Sequence, residues 1–411
     1  MRNFRSVWMP AFFLLFPLTA QPQDSEPLFL VNARVIDATG GEPYEAAVLV
    51  RQGRIARIER NGTGQAPDGV RKLDLNGKYL LPGFIDAHVH INTADQARTA
   101  LLSGVTTARS MGSGNFADVG LRELVRSGAV EGPELLAAGY HIRPHLADAF
   151  FLDEPTLAAL MGGVHGADNY RKVTAANLER EVDFIKVVAT DRAGLPETDP
   201  RRQIMTEEEL AAVVAAARRA EVPVAAHAHG DEGGRAAVRA GVRSIEHGTY
   251  LSEQTLRLMK EKGTFLVPTL AVVRDLNEPD GDYDNTVLRL RGRHMLPRLQ
   301  QMVRSAHQIG VPIVAATDTD YGPASLLRMA HDIQELTLCG LSPIEAIQSA
   351  TLRAAQLLQI EDRTGTIQPG KEADLIAVEG NPLEDIGALQ DILLVISNGR
   401  IALDRLQLGM E

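Results

Sequence analysis

The sequence of 411 residues has a single cysteine, so no intramolecular disulfide can hold it together. Its stability must come from core packing and any bound metal, and Cys339, in "LTLCGLSP", reads as a small buried apolar residue. Basic runs are also missing. The 42 Lys and Arg residues are interspersed with 53 Asp and Glu, giving a net charge of −11, which lacks the footprint of a nucleic-acid binder and excludes nucleic acid as an expected partner. Long apolar runs are absent apart from the first twenty residues, "MRNFRSVWMPAFFLLFPLTA". There, two arginines precede an apolar stretch from Val7 to Ala20 that Pro10 and Pro17 interrupt, short for a hydrocarbon core of about 30 Å. Residues 1–20 are therefore read as a secretory signal peptide cleaved after Ala20, in preference to a retained membrane anchor. The expectation is an exported protein, periplasmic or secreted, with no stable membrane anchor.

The full chain is 45% hydrophobic and 23% charged, ordinary for a globular enzyme with one large core and a smaller one. From 27 to 80, short apolar runs alternate with turn residues, as in "AAVLVRQGRIARIER", and the same texture returns over 363–411 in "ILLVISNGRIAL". Both ends read as hairpin strands of one composite β-sandwich domain. Between them, residues 81–362 alternate β-like runs with helical patterns. The runs are 84–90, 104–111, 134–140, 183–190, 222–229, 242–249, 264–270 and 312–318. Eight such strands are what a (β/α)₈ TIM barrel requires, with a doubly wound sheet as the weaker alternative. Thr206 and Glu209 fit a capping box opening a helix between the fourth and fifth strands. Residues 141–175, carrying His141, Arg143, His145, Asp148 and His165, are long for a βα connection and suggest a lid or binding loop.

Strand ends carry the chemistry. His88 and His90 in "FIDAHVH" are i and i+2 on a strand, so both imidazoles project from one side at its C-terminal end, where a barrel's active site lies. Later strands end alike: His227 and His229 in "AAHAHG", His247 in "IEHGT", Asp318 and Asp320 in "AATDTD". Imidazole and carboxylate suit zinc or a similar divalent ion. His294, His307 and His331 fall on helical or connecting segments and are assigned to surface or packing. Lys186 lies inside the apolar strand "DFIKVVAT", where an unpaired ammonium is costly. Two readings remain open: a buried ion pair with Asp318, or a carbamate formed with carbon dioxide that bridges two cations.

Taken with "SGVTTARSMG", "AGVRSIEHGTYLSEQTLRLMKEKGTFLVPTL" and "RTGTIQPGKEADLIAVEGNPLEDI", these stretches make the chain resemble the amidohydrolase superfamily, in the branch of imidazolonepropionase-like proteins and metal-dependent dipeptidases, Xaa-Pro dipeptidases and ochratoxin amidases included. The resemblance implies two divalent metal ions, zinc first among them. His88, His90 and Asp318 would hold one ion, carboxylated Lys186 would bridge, and His227 and His247 would hold the other. The 20-residue interval from His227 to His247 favours His227 over His229, which becomes substrate-facing. It further implies a hydroxide shared by the metals as nucleophile, with Asp318 as proton shuttle. Relatives carry Gly-Gly-His after the third strand; here "GYHIRPHLADAFFLD" leaves His145 nearest by position and His141 as runner-up for the oxyanion contact. Arg192 and Arg143 are candidates to clamp a substrate carboxylate, a solvated loop arginine being the other reading of Arg192. The implied function is hydrolysis of an amide or peptide bond beside a carboxylate, in a dipeptide, an N-acyl amino acid or an ochratoxin-type amide. A lactone, ester or phosphotriester hydrolase is the alternative, and a non-catalytic binding barrel is the reading from another class. Partners are then small amides or peptides, with a homo-oligomer left open.

Overall fold

The computed structural model describes residues 26–406 apart from Thr63, Asp280, Tyr283 and Asp284, so residues 1–20, read as a signal peptide, lie outside the described residues. The N-terminal part contributes Leu28–Val35 (β1), Tyr44–Arg51 (β2), Arg54–Arg60 (β3), Arg71–Asp74 (β4) and Tyr79–Pro82 (β5). The middle contributes Phe84–Val89 (β6), Val105–Ser110 (β7), Glu134–Ala137 (β8), Ile185–Val188 (β9), Val224–Ala228 (β10), Ser244–His247 (β11) and Phe265–Val267 (β12). Leu375–Val378 (β13), Ile392–Ser397 (β14) and Arg400–Asp404 (β15) close the chain.

Both chain ends enter one mixed sheet, in the order β15-β14-β13-β5-β1-β2-β3, with β4 also on β1. The hairpin pattern appears in β2–β3 and β14–β15, which are antiparallel. β1 likewise pairs antiparallel with β2, while on its other edge Leu28–Val31 pair in parallel with β4 and Arg34 and Val35 pair in parallel with β5. The change of partner falls at Asn32, whose left-handed backbone (φ 53°) bends the strand and whose side chain donates to Asp74 at 2.8 Å. One face of this sheet forms its own core around Leu30, Val48, Leu375 and Leu394, while Tyr79, Leu81, Ile376, Val378 and Ile392 join the large core of the middle segment.

The middle strands pair in parallel as β6-β7-β8 and β9-β10-β11-β12, separated by helices such as Ala94–Leu102, Ala117–Arg126, Ala167–Leu178 and Asp231–Ala240. Every residue of β6 and β7 is buried, as expected of parallel strands covered on both faces. Period two sorts them. Ile85 and Ala87 pack with Phe265, Val267, Val314 and Ala316 against the helix Leu352–Leu358, and Asp86 and His88 take the opposite side. The capping box is present on Glu207–Arg219: Thr206 Oγ1 accepts from Glu209 N (3.2 Å), and Glu209 accepts from Thr206 N (2.9 Å).

The eighth expected strand differs. Residues 312–318 form no ladder and touch their neighbours through isolated parallel bridges, Ile313 with Leu266 and Thr319 with Val89. Val314 N and Asp318 N donate to Leu266 O and His88 O of the flanking strands, but the amides between them are used elsewhere. Pro312 has none, Ala315 N donates to Ser349 O, Ala316 N to the Asp332 carboxylate (3.0 Å), and Thr317 N to Asp86 (3.1 Å). Residues 141–175 are not an irregular loop. They include the helix Asp148–Asp153 and a 3₁₀ segment Pro155–Leu160, with Phe150 and Phe151 buried edge-on beside Tyr140. Cys339 is buried and unpaired with sulfur.

Candidate metal centre

One cavity opens at the C-terminal ends of the parallel strands, lined by imidazoles, Lys186, Arg192 and Asp318 on one side and by Val272, Val273 and Leu276 on the other. The end of β6 delivers His88 and His90, whose Nε2 atoms lie 3.3 and 3.1 Å from Asp318 Oδ1. Backbone bonds fix this approach: Asp318 N donates to His88 O (2.8 Å) and His90 N to Thr319 O (2.9 Å). Asp318 (φ 55°) and His247 (φ 71°) both hold left-handed backbone that a side chain rarely adopts, and such strain is retained where the surrounding structure enforces it for a site.

His227, His229 and His247 converge from β10 and β11. Ring centroids are 4.6 Å apart for His227 and His247, and 4.7 Å for the stacked His229 and His247. Each ring has a second partner: Asp191 O at 3.1 Å from His227 Nε2, Thr249 Oγ1 at 2.9 Å from His229 Nδ1, and Thr269 Oγ1 at 2.7 Å from His247 Nδ1. Ligand atoms of His227, His229 and His247 lie within 4.8 Å of one another, as do those of His88, His247 and Asp318. His229, read from the sequence as outside the ligand set, thus sits geometrically among the histidines.

Burial, reinforced by neighbouring imidazoles and Lys186, holds His88, His227 and His247 well below the usual histidine range, and burial pushes His229 down to about 3. All four are neutral, the form that binds metal. Burial alone would raise Asp318, but the His88 and His90 rings beside it, together with Lys186, outweigh it and hold the carboxylate well below its ordinary value. Lys186, 3% exposed, points into this group from β9 with an Nζ that has no hydrogen-bond partner among the described residues. Burial lowers it to about 8. The ion pair with Asp318 left open by the sequence is not formed. Lone-pair nitrogens, a carboxylate and an orphaned buried amine fit a divalent-metal site better than a packed core.

The remaining candidates divide. His141 lines the cavity with its Nε2 against Met111 O, whereas His145, ranked first by position, is exposed and does not line it. The reason lies in the backbone: Ile142 bridges to Val187 of β9 and carries His141 to the strand ends, and the chain then turns outward. Arg192 lines the cavity, and its guanidinium has no hydrogen bond or ion pair among the described residues; Arg143 does not line it, and its pKa is lowered by burial and then by the neighbouring Arg192 charge. Asp320 accepts from Gly322 N, His331 accepts from Arg328 N, and His307 faces Glu345 at 3.9 Å, all away from the cavity. Three buried charged residues escaped the sequence reading: Asp86, which binds Thr317 and the Tyr321 hydroxyl, and Arg109 with Glu246. A signal existed, since each is a charge at an inward position of an apolar strand, as Lys186 is.

The profile of the Amidohydrolase family matches residues 79–402. An ochratoxinase of Aspergillus niger is 25% identical over 91% of this chain and 86% of its own length. A Xaa-Pro dipeptidase solved with methionine in its active site superposes with a TM-score of 0.80 at 28% identity, over 92% of this chain and 99% of that one. A prolidase solved with N-methylphosphonate-L-proline gives 0.76 at 26%, over 91% and 99%. With that profile spanning most of the sequence and these relatives spanning nearly all of it, the chain belongs to the amidohydrolase family, hydrolases that act on carbon–nitrogen bonds.

Proposed function

We propose that this chain is a binuclear metal-dependent amidohydrolase that cleaves an amide or peptide bond beside a carboxylate, in a dipeptide, an N-acyl amino acid or an ochratoxin-type amide. The observation that carries the reading is the Lys186 amine, buried without a partner among neutral imidazoles. Its Nζ, as the free amine, adds to carbon dioxide and loses a proton to give a carbamate, converting a costly buried cation into a ligand anion. His88, His90 and Asp318 would hold one ion, His227 and His247 the other, with the Lys186 carbamate between. Two zinc ions held there supply Lewis acidity and bring the pKa of water toward neutrality.

Asp318 takes the proton of the attacking water and passes it to the leaving nitrogen, a role its ionised state permits. His141 and His229 face the substrate from the cavity wall. Arg192, with Arg143 behind it, receives the substrate carboxylate, and Val272, Val273 and Leu276 seat an apolar group opposite. The architecture is read as a closed (β/α)₈ barrel flanked by a β-sandwich from both ends, supported by the bridges Ile142–Val187, Leu266–Ile313 and Val89–Thr319. Export with cleavage after Ala20 belongs to the same proposal, supported by the pattern of the first twenty residues.

Protein purified with zinc and screened against dipeptides, N-acyl amino acids, their carboxamides, lactones and phosphotriesters tests the reading. Near two ions per chain and turnover that depends on the free carboxylate are expected. One ion per chain, unchanged in Lys186→Ala, or turnover confined to lactones or phosphotriesters, would overturn it.

A further inference from the structure

Glu246 does not line the cavity, yet it controls a group that does. It is fully buried on β11, with Oε2 2.9 Å from His88 Nδ1 and Oε1 3.1 Å from Arg109 Nη2; Ser244 Oγ also donates to Oε1. Arg109, on β7, is itself tied down, its Nε donating to Ala87 O at 2.6 Å and its guanidinium lying 5.2 Å from the Phe184 ring centre. A carboxylate only accepts, so the proton in the His88–Glu246 bond resides on Nδ1. The His88 Nε2 lone pair then faces Asp318 Oδ1 at 3.3 Å, two acceptors aimed at each other. That contact is repulsive unless a cation sits between them. His90 has no second ring-nitrogen partner beyond Asp318 among the described residues, so the two histidines of the pair are not equivalent.

We propose that Glu246, paired with Arg109, is the positioning residue that locks His88 in its Nδ1–H tautomer and so presents Nε2 to a divalent cation shared with Asp318. The inference rests on the metal-centre reading above and adds to it a four-residue relay, Arg109 to Glu246 to His88 to Asp318, drawn from β7, β11, β6 and the segment that ends at Asp318. Removing a group that orients a metal ligand typically weakens metal affinity by about 10–100-fold.

The test begins with metal-free protein labelled with ¹⁵N in its histidine rings, with signals assigned by His88→Gln and His90→Gln. His88 is expected as a single neutral Nδ1–H tautomer in the wild type and as a mixture in Glu246→Gln. Chelator competition should then show one zinc ion held about 10–100-fold more weakly in that variant and the other little changed. If Glu246→Gln fails to fold because Arg109 is left unpaired, the double variant Glu246→Gln with Arg109→Met leaves no buried charge at this pair and replaces it. An Nε2–H tautomer at His88 in the wild type, or both ions held within twofold of wild type in the variant, overturns the proposal. A protein that shows the expected tautomer and zinc loss but hydrolyses no amide refutes the proposed function and leaves this inference standing.

Discussion

Lys186→Met separates the functional reading of the lysine from a packing one, because the two give opposite changes in two assays. Methionine nearly matches the lysine stem in volume and brings no charge. In metal-free protein stripped of carbon dioxide, the Lys186 amine is buried and its pKa falls from 10.5 to about 8, with Arg109 and Arg192 adding to burial and Glu246 and Asp318 opposing it. At about 1.4 kcal/mol per pH unit, that lowering makes the lysine a burden of about 3 kcal/mol on the folded state at pH 7. The unfolded chain holds this proton more tightly than the folded one, so the cost is full below pH 8, shrinks between about 8 and 10.5, and vanishes above. Urea titrations of the metal-free forms should therefore show Lys186→Met to be more stable than wild type by up to about 3 kcal/mol at pH 7, the gap closing by pH 10.5. With zinc and bicarbonate restored, the order should reverse: the wild type gains stability and turnover, and the variant, lacking a bridging ligand, gains little of either. If the metal-free variant were no more stable than wild type while the loaded variant kept full activity, the orphaned-amine argument and the bridging role would both be wrong.

Asp318→Asn keeps an oxygen ligand but no proton shuttle, so turnover should fall by about 10²–10⁴ while most metal is retained; kcat near wild type in a metal-replete assay would remove Asp318 from proton transfer. Arg192→Met should lower kcat/KM about 10–100-fold for substrates with a free carboxylate, the loss of a charge-assisted bond, and leave their carboxamides unaffected. Equal losses on both would place Arg192 in the structure of the loop instead. Asp374, buried in the composite sheet with Asn398 N at 2.8 Å and Thr364 Oγ1 at 3.0 Å, is raised by burial from 3.8 to about 7. The folded state thus binds its proton more tightly, and stability should fall as pH rises from about 4 to 7. Asp374→Asn should flatten that limb in a pH series of denaturation curves, and an unchanged slope would assign it to other carboxylates.

Much of the site was legible because strand chemistry is local. The spacing of His88 and His90, and the ends of the strands carrying His227, His247 and Lys186, follow from period-two alternation within a few residues, and the structure brings these side chains into one cavity. What was not legible depends on partners distant in sequence. The eighth strand was read from "PIVAATD", yet the amides of Ala315, Ala316 and Thr317 go to Ser349, Asp332 and Asp86, and nothing local in that stretch signals the diversion. His145 was preferred to His141 by counting along a segment whose path is set by the Ile142–Val187 bridge. β1 was read as a hairpin strand and does pair antiparallel with β2, but the parallel return of β4 and β5 to its other edge depends on residues far along the chain.

The charges behind the site form a third category, local in signal but not in meaning. Arg109 in "TTARS" and Glu246 in "SIEHG" break apolar strands as plainly as Lys186 does. Each breaks the pattern at an inward position, and burial of a lone charge is costly enough that a partner must be supplied. Arg109 and Glu246 are each other's partner, 3.1 Å apart from strands 137 positions away in sequence. Lys186 alone among these inward charges has an atom left unsatisfied by protein groups. The same rule that marks all three as requiring partners therefore distinguishes them: the first two are satisfied within the protein, whereas the third is not, and on that difference the carbamate proposed for Lys186 rests.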